Sequence, residues 1–149
     1  MIPNRVFPVH QLNCREQPGS AFAVHKYYPG DHAQRANYPH RHDFHQIIHI
    51  TEGRGCHLVD HYALPITPPV LFFVAVGQVH FWEITEPLHG DGLLFRPDFL
   101  EPSLAYGAEL DNLTNFHRLS YAPLRLERKH SSLLQQIINL ICHEHHTHN

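Results

Sequence analysis

The sequence predicts an all-β barrel of short strands followed by a helical tail. Between about Ala21 and Leu100, apolar runs recur with turn residues between them at even spacing, the pattern of a sandwich or barrel. Val70–Val76 is apolar at every position, as expected of a strand buried on both faces. After Arg96 the apolar period changes from that of strands to that of helices.

Residues 1–20 contain Pro3, Pro8, Pro18 and Gly19 and read as an irregular arm. Residues 21–100 form the barrel. Its expected strands are Phe22–Tyr28, ended by Pro29-Gly30, and Phe44–Thr51, ended by the turn Glu52-Gly53-Arg54-Gly55. Cys56–Val59, a short piece near Leu64, Val70–Val76, Val79–Thr85 and Gly92–Arg96 complete the set. Residues 101–149 form the helical segment. Pro97-Asp98 suits a helical first turn. A second short helix is expected within Gly107–Tyr121. Ser132 with Gln135 matches a capping box, which places a helix start there. Leu133, Leu134, Ile137, Ile138 and Ile141 then make a wide apolar stripe. That stripe has two open readings: packing back on the barrel, or pairing with its copy in a second chain.

Composition removes several function classes. Eleven Lys and Arg against 14 Asp and Glu give a net charge of −3, so no basic footprint for a phosphate backbone is present. Cys14, Cys56 and Cys142 are odd in number and form no C-x-x-C pair, so they read as reduced thiols of a cytoplasmic protein. No signal-peptide pattern opens the sequence, and no apolar run is long enough for a bilayer. No Gly-x-Ser-x-Gly elbow or phosphate-cradling glycine loop appears. The anomaly is histidine, at 17 of 149 residues.

The informative segment is Pro39-His40-Arg41-His42-Asp43-Phe44-His45-Gln46. Strand alternation puts His40, His42 and Gln46 on one face, continued by Ile48 and Ile50, while His45, His49 and Thr51 point away. The apolar continuation marks the first face as the barrel interior. A second segment, Val76-Gly77-Gln78-Val79-His80, brings another imidazole to the head of a strand, and Trp82 shares its parity.

These segments resemble the two cupin motifs. His40, His42, Gln46 and Gly53 occupy the first, and the turn before His80 occupies the second. The chain departs at Gln46, where the pattern has Glu, at Ala75, where it has Pro, and at Ile84, where it has Asn. The ordered series from Pro39 through Gly53-x-Gly55, Leu71-Phe72-Phe73, Gly77-Gln78-Val79-His80-x-Trp82 and Leu94–Leu100 is narrower. It resembles the sensor domain of AraC-type transcription regulators. The resemblance implies a cupin barrel (a double-stranded β-helix or jelly roll) that binds a small-molecule effector and is not an enzyme. It also implies a homodimer through the helix after the barrel. DNA would be read only by helix-turn-helix units of a further domain, which these residues do not include. An arm closing over the ligand is a further implication.

The ligand-lining residues are expected to be His40, His42, Gln46, Ile48, His80 and Trp82. His40, His42, Gln46 and His80 are equally candidates for a divalent metal site, with Zn²⁺ or Ni²⁺ suited to imidazole. Gln46 in place of a carboxylate removes the one anionic ligand and weakens an Fe²⁺ oxygenase reading. The alternatives are a stand-alone metal-dependent cupin enzyme, an oxygenase or isomerase, and a non-catalytic metal-binding cupin. The terminal Cys142-His143-Glu144-His145-His146 run reads as a solvated chain end.

Overall fold

The computed structural model describes residues 6–12, 19–30, 37–99 and 116–147. Eight strands occur among the described residues: β1 (Val9–His10), β2 (Phe22–Tyr27), β3 (Arg41–His42), β4 (His45–Val59), β5 (Tyr62–Pro65), β6 (Val70–Val74), β7 (His80–Phe95) and β8 (Leu124–Arg125). A 3₁₀ turn, Pro97–Phe99, follows β7, and one long helix, α1 (Arg128–Thr147), ends the described chain. The order in the main sheet is β2-β7-β4-β6-β8, with β5 also paired to β4, all antiparallel. This is the expected all-β cupin barrel with a C-terminal helix.

The strand pattern differs from the expectation in one instructive way. The pieces 44–51 and 56–59 are one continuous β4, and the pieces 79–85 and 92–96 are one continuous β7. The segment Glu52–Gly55 is a series of bulges, with register shifts between Ile50 and Gly55, rather than a turn. Gly53 and Gly55 have φ of 110° and 147°, and a Cβ on Gly55 would lie 2.2 Å from the Glu83 carbonyl oxygen. Glycine therefore lets β7 approach while β4 bends, which is how a long strand serves two walls of a barrel. The first half of β4 pairs with β6 and the second half with β5, while β7 follows it throughout. Pro87 is accommodated in the bulged stretch, where Arg54 pairs with Glu86 and Glu52 with His89.

Inside the barrel, Ile48, Ile50, Val59, Val70, Phe72, Val74 and Leu88 are almost fully buried in one cluster that includes Trp82 and Tyr27. Within the arm, β1 pairs in parallel with β3, Val9 opposite Arg41 and His10 opposite His42, a strand the sequence did not announce.

Helix α1 begins at Arg128, one turn before the expected cap, so Ser132 lies inside the helix and is exposed. Its apolar stripe divides. Ile138 is buried against the barrel, with Leu134 and Ile141 half-buried beside it. Leu133, Ile137 and Leu140 remain exposed. A polar seam fixes the inner face: His49 Nε2 meets Ser131 Oγ at 2.9 Å, and Gln135 Nε2 donates to Asp91. Asp91 also pairs with Lys26 and stands opposite His49 across the β4–β7 ladder. Thus His49 does point away from the interior, yet it is buried, because α1 covers it. Ser131→Ala would leave neither His49 ring nitrogen bonded, since Nδ1 has no partner. The expected loss is about 1–2 kcal/mol of stability, read from urea unfolding. The expected helix within 107–121 falls partly outside the described residues, and residues 116–119 are helical.

Candidate functional site

A backbone bridge brings the two histidine segments together. His40 N donates to the His80 carbonyl at 3.2 Å, and His80 N donates to the His40 carbonyl at 2.9 Å. The turn before His80 is docked by Gly77 N on the His42 carbonyl and by Arg41 Nη1 on the Gly77 carbonyl. Gly77 has φ of 80°, which suits glycine in this turn. Gln78 braces the turn from behind, its Oε1 accepting from Ala75 N and its Nε2 donating to Asp60 and Ser120.

The three rings so positioned, His40, His42 and His80, are buried and offer one ligand atom each, all within 4.8 Å of one another. Gln46 is buried on the same side, and its Oε1 makes no hydrogen bond. It lies close enough to His42 to favour that ring's N–H. Ile48 and Trp82 project into the interior as expected, fully buried and nearly so respectively, within the core cluster. All six candidate residues are thus on one side of the barrel wall.

Two histidines belong to this constellation without having been singled out. His57, on β4, is fully buried; its Nε2 meets His80 Nδ1 at 2.9 Å and its ring stacks on Trp82 at 3.8 Å. Its parity with buried Val59 is the signal that places it inside. His10, on the arm, has its ring 4.9 Å from that of His40 and its Nε2 3.1 Å from the Tyr38 hydroxyl. Nothing in the Pro-containing arm foretold that pairing.

Burial holds these rings neutral. Desolvation, then repulsion from His40 and His10, lowers His42 to a pKa of about 3, with Gln46 partly opposing. Desolvation, then His40 and His42, lowers His57 to about 3. Desolvation and the neighbouring rings lower His80 well below the usual imidazole value. His40 is lowered by burial, partly offset by its bond to the Tyr38 carbonyl. Neutral imidazoles buried among mostly apolar side chains can accept or donate hydrogen bonds to a small molecule. The same three rings have the donor chemistry and mutual distances of a Zn²⁺ or Ni²⁺ site.

Comparison with known proteins agrees with this architecture. The model of the AraC-like ligand-binding domain matches residues 23–149. The HTH-type transcriptional activator RhaS of Salmonella paratyphi B is 31% identical over 103 residues, 68% of this chain and 35% of that protein. The HTH-type transcriptional activator RhaR of Mannheimia succiniciproducens is 34% identical over 61 residues, 41% of this chain and 22% of that protein. The matched stretches thus span about a third or less of these relatives. Among the described residues no helix is long and apolar enough to cross a membrane. The match across the barrel and its following helix shows that this chain belongs to the family of AraC-like ligand-binding domains.

Proposed function

We propose that the chain is the effector-sensing part of a cytoplasmic transcription regulator, divided into an arm (1–20), a barrel (21–100) and a helical dimerisation segment (101–149). The carrying observation is the convergence of His40, His42 and His80, with Gln46, on one buried side of a ligand-binding barrel. A small effector lodges among these groups against Ile48 and Trp82, and binding produces no turnover. The arm, paired at His10 with His42, lies beside the same rings. The exposed stripe Leu133, Ile137 and Leu140 is the surface through which a second copy pairs, and DNA is read by a separate domain. A divalent ion held by the three imidazoles is the second reading, favoured by their mutual distances.

The test is thermal and urea unfolding across a panel of small molecules and metal ions. An effector at a hundredfold excess over its Kd is expected to add about 2.7 kcal/mol. His42→Ala is expected to abolish that gain. Chemical conversion of the stabilising molecule, or stabilisation undiminished in His42→Ala, would sink the proposal.

A further inference from the structure

The hydrogen bonds among the buried rings restrict where their protons lie. His40 Nδ1 is 2.8 Å from the Tyr38 carbonyl oxygen, which only accepts, so Nδ1 carries the proton and Nε2 keeps a lone pair. His57 Nε2 meets His80 Nδ1 at 2.9 Å, and His80 Nε2 meets His42 Nδ1 at 3.4 Å. Each of these neutral rings has one N–H, and each nitrogen pair needs one proton, so the protons run either from His57 towards His42 or the reverse.

The two directions differ at the inner end. His57 Nδ1 is buried and has no hydrogen-bond partner. If the run starts at His57, that atom is an unpaired acceptor. If it ends there, that atom is a buried N–H with no acceptor from the protein, the more costly orphan. The first direction is therefore preferred. It leaves His42 with its proton on Nε2, while Gln46 Oε1 is a buried acceptor with no hydrogen bond.

We propose that His57 sets the protons of the pocket, which presents acceptors at His40 Nε2 and Gln46 Oε1 and a donor at His42 Nε2, and so selects a neutral ligand group that both donates and accepts hydrogen bonds over a bare divalent cation. This deepens the sensor reading and rests on it for where the ligand lies. A cation bound through His80 Nε2 and His42 Nε2 needs lone pairs on both atoms. The one lone pair of His80 Nε2 then goes to the cation, so its bond with His42 Nδ1 is lost, the His80 proton moves to Nδ1, and the N–H falls on His57 Nδ1, where nothing accepts it. Both arrangements are neutral, so tautomers alone are exchanged. His57 is a positioning residue: it acts through His80 and lies behind it, stacked on Trp82.

Side-chain nitrogen NMR of the ¹⁵N-histidine-labelled chain at pH 7.5 reads the tautomers directly. The expected result is the Nε2–H form for His57, His80 and His42, and the Nδ1–H form for His40. An Nδ1–H form at His57 overturns the proposal. Zn²⁺ calorimetry gives a second readout, with His42→Ala as the blank for the other histidines. His57→Gln can turn its amide to accept from His80, so it is expected to bind Zn²⁺ about tenfold more tightly than the unmodified chain. Equal or weaker binding by a folded His57→Gln also overturns it. Failure of the sensor reading shows separately, as no small molecule stabilising the protein through His42, and leaves the tautomer result intact.

Discussion

Acidification from pH 7 to pH 4 is expected to remove a large part of the folding free energy of this protein. His42 and His57 each have a pKa of about 3 in the folded chain, chiefly because burial penalises the charged ring. In the unfolded chain both titrate near the ordinary value of about 6.5. Below that pH the unfolded state takes up protons that the native state refuses. Stability is thus intact above about pH 6.5 and declines as the pH falls towards about 3. Each ring contributes roughly 1 kcal/mol per pH unit over that window, on the order of 3 kcal/mol by pH 4. Because each ring is lowered partly by its neighbours, their shares are not independent, but several kcal/mol is a large part of the stability of an ordinary domain, about 5–15 kcal/mol. His40 and His80 are lowered as well and act in the same direction. Urea midpoints measured from pH 8 to pH 4 check this. A midpoint that stays flat between pH 6.5 and pH 5, above the carboxylate range, would show that the rings are not buried as described.

Trp82→Ala is expected to cost about 3–5 kcal/mol, the range for removing a large aromatic side chain from a core. Trp82 is 3% exposed, lies face to face with His57 and edge-on to Phe72, and contacts Tyr27 at a ring separation of 6.3 Å. Its removal opens a void in the barrel and strips the face from the ring that holds His80. Trp82→Phe keeps most of that volume and is expected to cost less than about 1.5 kcal/mol. Circular dichroism during urea unfolding measures both variants, since the chain's only tryptophan is lost in each. A loss below 1 kcal/mol for the alanine variant would place Trp82 outside the core.

The first-order features of the site are local and therefore legible in the sequence. Alternation placed His40, His42, Gln46 and Ile48 on one face, and the turn before His80 is spelled out by Gly77 and Gln78. What alternation omits is the partner on the neighbouring strand, where His57 lies opposite Trp82. His57 was one imidazole beside a cysteine until β4 proved to run unbroken through Gly53 and Gly55 and brought it behind His80. The bulges were unreadable because glycine signals a turn and a close approach equally well, and only β7 lying against Gly55 decides between them. The outward face of β4 shows the same limit. His49 belongs to a solvent face by alternation, but α1 converts it to a buried one. The helix itself was visible by period. Its start was misplaced because Ser132 with Gln135 resembles a capping box, whereas the helix begins a turn earlier at Arg128 and Ser131 is engaged with His49.

The bridge between His40 and His80 also separates the location of the pocket from its chemistry. The two segments are joined by main-chain hydrogen bonds, and the adjoining turn is tied to the His42 carbonyl. None of these bonds depends on which side chain stands at positions 40, 42 or 80. The frame would persist if the rings were exchanged for other residues that fit. A barrel built this way can be re-equipped for a different molecule by a few substitutions, without rebuilding the walls that hold them.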